Sequence, residues 1–346
     1  MNALRLIWVT SLVLSSAAIL VMLMLIVARL ITARRAIRRS AERRALTPIL
    51  LRAGDHEAGA MPGTASEVAT DLSLELIQLV RGDERAAFIA NATELGVPAR
   101  LERRLRSGSH RDRADAVHGL AQFDDPATRE ALYRSLDDPD KNIRLASALA
   151  LAATDEVLDT DSLVEKLELG AGQSSLVTVS LFRRIAESQP EQIKALVVRP
   201  GQNAEVRLAA IEALAGTGDY SLVPVIAQLA MAAAEDTEEL PRYLHALGRL
   251  GHPAARPAVL AGLASSAMSA RAAAAGAAGR IMLVESADRL AELLGDPEWW
   301  VRFRAAESLI LLGEPGLALL RTAAAGEQGL ARDAATAMLA ERGLPA

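Results

Sequence analysis

The chain has 346 residues, no cysteine, and a hydrophobic content of 51% that includes only 3% aromatic residues. The lack of cysteine excludes disulfides, thiolate metal sites and cysteine nucleophiles, and apolar content carried by Ala, Leu, Val and Ile favours helices. The net charge of −5 is unevenly spread: eight arginines in residues 1–45 outnumber Glu42 by seven, which leaves −12 for the remainder. The acidic charge of residues 46–346 argues against nucleic acid as a partner, because neutralising phosphates requires clustered cations.

Residues 6–28 are the first predicted element, a run of 23 residues without a charge. A helix of that length spans roughly 35 Å, somewhat more than the roughly 30 Å hydrocarbon core of a bilayer. We therefore predict a single transmembrane anchor over residues 1–30, with the lipid bilayer contacted by residues 6–28. A cleaved signal peptide is the alternative, but the apolar run exceeds the usual length and no A-x-A site follows it.

An arginine-rich segment and a tether are predicted for residues 31–66. By the positive-inside rule, the arginines predict a single-pass protein of the bacterial inner membrane with its C-terminal part in the cytoplasm; an inverted topology would place that part in the periplasm. Leu46 to Ser66 mix Pro, Gly and small residues without helical periodicity, which is typical of a flexible tether. The arginines would either contact anionic headgroups or act only as a topology signal: Arg34, Arg35, Arg38, Arg39, Arg43 and Arg44.

From residue 67 to residue 346 one nine-residue phrase recurs. "IRLASALAL" begins at Ile143, "VRLAAIEAL" at Val206 and "VRFRAAESL" at Val301, each with arginine in second place. Successive arginines of this column lie 31, 63, 64, 31 and 30 residues apart, which indicates a period of about 31 residues. A period in this range predicts a stacked repeat protein. The column consists of Arg113, Arg144, Arg207, Arg271, Arg302 and Arg332.

Each unit divides into a short Leu-spaced helix, an Asp/Pro/Gly turn, and a second helix that opens with the phrase. The turns include "DDPDKN" at 137–142 and "GDPEWW" at 295–300, and second helices stop near Gly216, Gly251 and Gly313. One helix pair cannot bury both of its faces alone. The predicted fold is therefore all-α, an α-solenoid of about nine stacked helix pairs preceded by the single transmembrane helix.

The arginine column has two possible roles. Each arginine falls in the first turn of a second helix, near the turn aspartate of its own or an adjacent unit. This position favours a structural ladder of Asp–Arg pairs that links successive turns. A row of catalytic or phosphate-binding arginines is the alternative.

The segments "DPEWWVRFRAAESLILLG" and "NAEVRLAAIEALAGTGD" resemble HEAT repeats, specifically the short bacterial type associated with phycobiliprotein lyase subunits. The resemblance extends over about residues 67–343. It implies an α-solenoid that presents a concave surface to a protein partner, and it identifies no partner because the shared residues are structural.

No catalytic, cofactor or metal residue is predicted. The five histidines show neither an i, i+4 pair nor an H-E-x-x-H motif. Iron-binding HEAT-like hydroxylases use repeated His-Glu pairs, and the one such pair here is His56-Glu57 in the tether. No G-x-S-x-G elbow or phosphate-binding glycine motif occurs.

Trp299 and Trp300 occupy a turn where sister units carry polar or small residues, such as Lys141-Asn142. Exposed aromatics at such a position are typical of protein-binding hot spots, and Arg302 and Phe303 would enlarge the patch. Packing beneath a neighbouring turn is the alternative.

These features predict a non-enzymatic, membrane-tethered scaffold that binds a protein, expected to be another inner-membrane protein, and takes no cofactor or small-molecule substrate. Its expected role is an accessory or regulatory subunit in polysaccharide synthesis, secretion or signalling. The alternative is an enzyme or enzyme subunit on the same solenoid, of the lyase type, which requires polar side chains that converge on the concave face.

Overall fold

The computed structural model describes residues 20, 22–26, 29–30, 40–51, 63–77, 79–154, 158–170, 176–235 and 237–345. Within these residues the backbone is helical or forms turns and loops between helices, and it contains no strand. The predicted all-α fold is thus confirmed for the described part of the chain. The chain divides into two compact units, Met1–Ala150 and Leu151–Ala346.

Within its described residues, the first unit has helical backbone at residues 20, 22–26 and 29–30, a helix at residues 40–51, which we label α1, and six further helices. These are α2 (Gly63–Leu76), α3 (Asp83–Glu94), α4 (Val97–Ser107), α5 (His110–Leu120), α6 (Pro126–Arg134) and α7 (Lys141–Leu151).

The second unit contains twelve helices within its described residues. These are α8 (Thr160–Lys166), α9 (Leu176–Ser188), α10 (Pro190–Val198), α11 (Ala204–Leu214), α12 (Val223–Ala232), α13 (Glu239–Leu250), α14 (Arg256–Leu263), α15 (Met268–Arg280), α16 (Ala287–Leu293), α17 (Trp299–Leu311), α18 (Glu314–Ala324) and α19 (Leu330–Glu341).

Helix ends in the first unit are fixed by local side chains. Ser109 and Asp112 form a capping box at the start of α5, in which each side chain accepts the other residue's backbone N–H. Asp125 accepts the N–H of Thr128 at 2.9 Å, and Pro126 supplies the first residue of α6. These caps fix the first residues of α5 and α6.

Residues 46–51 differ from the predicted tether, because they belong to α1. Leu46 and Leu50, four residues apart on one helix face, are 4% and 0% exposed. The Asn91 side chain on α3 donates to the carbonyl oxygens of Ile49 and Leu50, each at 3.2 Å. The i, i+4 leucine spacing and this amide bond give the segment a packed helical structure.

The predicted single-pass location in the bacterial inner membrane is wrong on the evidence of the described residues. None of their helices combines the length and apolar character that a bilayer crossing requires. Most of residues 6–28 lies outside the described residues, as do Arg34, Arg35, Arg38 and Arg39. Arg43 is paired with Glu75 of α2, and Arg44 is exposed.

The second unit has two helical layers. The second helices of successive pairs, α9, α11, α13, α15, α17 and α19, each contact the next in the series. First helices form the other layer, in which α12 contacts α14 and α16 contacts α18. This is a solenoid-like arrangement, and it follows from the repeat period because equivalent faces meet at every step.

Small residues set the spacing of the second helices. A Cβ at Gly248 of α13 would lie 2.8 Å from the Cα of Ala277 on α15. A Cβ at Gly279 of α15 would lie 2.6 Å from the hydroxyl of Ser308 on α17. That hydroxyl donates to the carbonyl oxygen of Ala275 at 2.7 Å. Any side chain at either glycine would therefore push two helices apart.

Met282, just past the end of α15, has a left-handed backbone with φ 55°. Its equivalents one repeat before and one repeat after are Gly251 and Gly313, with φ 70° and 72°. The left-handed region costs a residue with a Cβ roughly 1–2 kcal/mol, and helices end in this conformation most often on glycine. Because the Met282 side chain is 62% exposed, the free energy gained by burying it offsets little of this conformational cost.

We expect Met282→Gly to raise the free energy of unfolding by about 1 kcal/mol, because glycine adopts this conformation without steric cost. Gly251→Ala, at a left-handed helix end with φ 70° and ψ 20°, should lower it by a similar amount, and since an added Cβ there meets no atom within 4 Å, that variant reports backbone strain alone. Urea denaturation followed by circular dichroism measures both changes. Destabilisation by Met282→Gly would show that the Met282 side chain contributes more to stability than its left-handed backbone conformation costs.

Candidate functional site

Five of the six arginines in the column donate to carbonyl oxygens of the turn that precedes their own helix. In the second unit, Arg271 Nη1 donates to the carbonyl oxygens of Ser265 and Ser266 at 3.1 and 2.6 Å. Arg302 Nη1 donates to those of Asp296 and Pro297 at 2.7 and 2.8 Å. In both cases the acceptors lie six and five residues before the arginine. These bonds satisfy carbonyl groups that the turn would otherwise leave without partners.

Arg271 also reaches the turn of the following repeat. Its Nε and Nη2 donate to the two carboxylate oxygens of Asp296 at 2.8 and 3.2 Å. The Asp296 side chain is 5% exposed and that of Arg271 is 13% exposed. Asp296 also accepts the backbone N–H of Glu298 at 2.9 Å. One aspartate thus joins its own turn to the arginine of the previous unit.

The first unit contains the same arrangement. Arg113 lies 3.0 Å from a carboxylate oxygen of Asp138, which accepts the backbone N–H of Asp140 at 2.8 Å. Arg144 Nη1 donates to the carbonyl oxygen of Asp138 at 3.0 Å. In both units the aspartate follows the arginine by 25 residues. This fixed spacing is a signal that the sequence carries and that sequence reasoning missed.

Within the described residues, Arg207, Arg302 and Arg332 differ, because none of the three forms this inter-repeat pair with an aspartate. Arg207 Nη2 donates to the carbonyl oxygens of Arg199 and Gln202 at 3.2 and 3.4 Å, and Arg332 is exposed. The positions at the same spacing after Arg144 and Arg207 hold Leu169 and Ala232, which carry no carboxylate. The structure therefore places Asp–Arg pairs between turns at two steps of the described array.

The carboxyl of Asp296 is held in its charged form. Burial raises its pKa, but hydrogen bonds from Arg271 and from the N–H of Glu298, together with the positive charges of Arg271 and Arg302, lower it more. The resulting pKa lies below the ordinary value of an aspartate.

The predicted aromatic residues form one cluster at the start of α17. Trp299 and Phe303 stack with ring centroids 5.2 Å apart at 16°. Trp300 meets Trp299 edge-on at 4.6 Å and Phe303 at 6.0 Å. Each tryptophan remains 54% exposed. The three rings support one another while half of each indole faces solvent, so the cluster is preformed.

Beside this cluster lies a groove of about 340 Å³ between α17 and α19. The α17 wall includes Trp299, Phe303 and Ala306, which share one helix face by their spacing of four and three residues. The α19 wall includes Leu330 and Met338. The α19 wall was not predicted from the sequence. The available signal was Leu330, which is the equivalent of Trp299 in the next repeat and is the first residue of α19. The remaining lining residues are Arg302, Asp333, Ala334, Ala337 and Glu341.

The groove exists because α19 packs less closely on α17 than α17 does on α15. The glycine column of Gly248 and Gly279 continues one repeat later as Ile310. A branched side chain at that position prevents the backbone contact that the two glycines allow. Trp299 and Phe303, in place of Met268 and Ala272 one repeat earlier, add further bulk between the helices.

Metal binding receives no geometric support within the described residues. No group of three or more His, Asp or Glu side chains there is arranged to hold a metal ion. His56 and Glu57 lie outside the described residues.

A family profile described as HEAT repeats matches residues 97–171 and 230–310, which together are less than half of the chain. HEAT repeats are thus detected in both units. No match was found among curated proteins.

Solved structures of a karyopherin, Kap121p, show similarity at the level of the helical fold. Kap121p bound to the extreme C-terminus of the protein phosphatase Cdc14p is 15% identical, with a TM-score of 0.49 over 88% of this chain and 39% of that one. Kap121p bound to Nup53p is 15% identical, with a TM-score of 0.49 over 87% of this chain and 39% of that one. The chain thus spans about two-fifths of the length of these proteins.

We expect Arg271→Ala to lower the free energy of unfolding by about 3 kcal/mol, because it leaves the buried Asp296 carboxylate without its charged partner. The exposed Arg332, at the equivalent helix position, is the matched control, and Arg332→Ala should change stability by less than about 0.5 kcal/mol. Urea denaturation of both variants gives the comparison. Equal effects would mean that the inter-repeat pair contributes nothing.

The Asp296 carboxylate should also make stability depend on pH. Because its folded pKa lies below its unfolded value, its contribution is complete above the unfolded pKa of about 3.9 and is lost as pH falls through the folded pKa. The destabilisation caused by Asp296→Asn should therefore be largest near pH 7 and shrink below pH ~4. Thermal unfolding of both proteins between pH 7 and pH 3 tests this. A pH-independent difference would assign the effect to packing.

Proposed function

We propose that this protein is a non-enzymatic scaffold that binds another protein through the aromatic cluster Trp299–Trp300–Phe303 and the adjacent α17/α19 groove. As a scaffold it would serve as an accessory or regulatory subunit of a larger assembly. The observation that carries the proposal is the pair of tryptophans, each half-exposed and held by ring contacts at the edge of a groove.

Energetics favour this surface as a binding site. Tryptophan is enriched among residues whose truncation costs about 2 kcal/mol or more at interfaces, and large rigid rings lose little conformational entropy on binding. Contacts among the three rings restrict their motion before any partner binds, and this further reduces the conformational entropy that is lost on binding. A partner side chain that enters the groove would cover apolar area on both helices, at roughly 25 cal/mol per Å².

The chemistry of the groove also favours binding. Its walls are mainly aromatic, aliphatic and small side chains. Arg302 lies on the lining, but its Nη1 already donates to two carbonyl oxygens of its own turn. A wall of this composition is suited to hold an apolar side chain.

Combined substitution Trp299→Ala and Trp300→Ala should weaken partner capture at least tenfold, since the loss of one hot spot already exceeds about 1.4 kcal/mol. The experiment compares proteins retained by immobilised wild-type and variant chains, with quantification by mass spectrometry. Tyr220→Ala combined with Met231→Ala is the matched control, because both side chains are also exposed apolar residues of the second unit.

Far-UV circular dichroism of the double tryptophan variant should match that of the wild type. An unchanged set of captured proteins would contradict the proposal. Loss of helical content in the variant would show that the tryptophans serve packing.

A further inference from the structure

The α19 wall of the groove combines an apolar strip with an acidic rim. Leu330, Ala334 and Met338 line the groove at steps of four residues, so they form a strip on one face of α19. Asp333 and Glu341 also line the groove, and both are exposed. The groove therefore offers negative charge directly beside its apolar surface.

The two carboxylates are spread along the length of α19. They are eight residues apart, which corresponds to about 12 Å along the helix axis. Ala337, four residues from each, also lines the groove and is exposed, and its single methyl group leaves the surface between the carboxylates open. A segment bound along α19 thus meets a negative charge towards each end of the groove.

Neither carboxylate is engaged within the described part of the protein. There the side chains of Asp333 and Glu341 form no hydrogen bond and no ion pair. Arg302 also lines the groove, but its Nη1 donates to the carbonyl oxygens of Asp296 and Pro297. A cation from a partner can therefore pair with either carboxylate without breaking an existing contact.

Two other acidic side chains of the last repeats are different, because they already have partners. Glu307 accepts a hydrogen bond from Arg304 at 2.7 Å, and Glu314 accepts one from Arg321 at 3.2 Å. The unpaired carboxylates Asp333 and Glu341 are thus the ones that the groove places beside a bound segment. Complementary charge at such positions fixes orientation and partner choice more than affinity.

We infer that the partner is a protein segment in which a large apolar side chain stands between basic residues. The apolar side chain enters the α17/α19 groove, and Lys or Arg side chains of the segment pair with Asp333 and Glu341. In an extended segment, at roughly 3.3–3.6 Å per residue, the separation of the two carboxylates corresponds to about three or four residues. The negative net charge of residues 46–346 attracts the same kind of segment at longer range. This inference rests on the proposed function and adds the chemistry of the partner to it.

Selection of a random twelve-residue peptide library displayed on phage against the immobilised full chain is the first test. Peptides that the Trp299→Ala/Trp300→Ala variant also retains are discarded, which removes basic peptides that bind the acidic surface elsewhere. The remaining peptides should carry Trp, Phe, Leu or Met with Lys or Arg on both sides of it. Peptides that need the two tryptophans but show no enrichment of Lys or Arg would overturn this inference and leave the proposed function intact.

An exchange of charges tests the rim itself. Asp333→Lys combined with Glu341→Lys should raise the Kd of a synthetic copy of the most enriched peptide at least tenfold, because attraction at two positions becomes repulsion. A second copy, with Glu in place of each Lys or Arg, should bind this variant more tightly than it binds the wild type. Fluorescence polarisation at low ionic strength measures each affinity, since salt screens exposed charges.

Asp288→Lys combined with Glu94→Lys is the matched control. Asp288 lies in the first turn of α16 as Asp333 does in α19, and Glu94 is the last residue of α3 as Glu341 is of α19. Both control residues are exposed and neither lines the groove, so this variant should leave Kd within about twofold. Circular dichroism checks that each variant remains folded, and Asp333→Asn with Glu341→Gln replaces the reversal if it does not.

The remaining outcomes separate this inference from the proposed function. Equal affinity of the wild type and the reversed variant for the basic peptide would overturn the pairing with Asp333 and Glu341 while the tryptophan-dependent binding stands. Enrichment of no peptide that depends on Trp299 and Trp300 would overturn both.

Discussion

Close contact between successive second helices is the constraint on which the second unit depends. A two-helix repeat has too little interior to be stable alone, so each pair must bury its faces against its neighbours. Gly248 and Gly279 allow the backbones of α13, α15 and α17 to approach until a Cβ would collide. Ser308 adds a buried hydrogen bond across the contact between α15 and α17. The recurrence of one nine-residue phrase follows from this constraint, because the same helix separation requires the same side-chain volumes at every step.

The turns are held by a second device, in which arginine acts in two directions. One end of the guanidinium donates to carbonyl oxygens of its own turn, and in Arg271 the other end binds the carboxylate of the next turn. A buried ion pair of this kind contributes less to net stability than its charge suggests, since desolvation offsets the attraction. Its greater effect is on geometry, because a planar donor group bonded on both edges fixes the angle at which one turn follows another. The pKa of Asp296, lowered although burial opposes it, is the electrostatic consequence.

The candidate binding surface appears where these repeating rules are broken. Ile310 replaces the column glycine, Trp299 and Phe303 replace smaller residues, and α19 consequently stands off from α17. The residues that recur in every repeat build the helical framework, and the residues that depart from the repeat form the candidate site.

The sequence alone determined the helical class, the repeat period, the approximate helix pairs and the turn positions. These features follow from local helix propensity and from a residue pattern that recurs along the sequence. It also marked Trp299 and Trp300 as unusual by comparison with sister repeats. Only the tertiary structure decided that α1 packs on α3 through Asn91. It alone also showed that Asp296 and Asp138 bind arginines of the preceding repeat. The contribution of α19 to the second wall of the groove likewise became visible only in the structure. Each of these depends on how far apart two helices stand, and that distance is set by the summed volumes of side chains from different repeats, which no single segment contains.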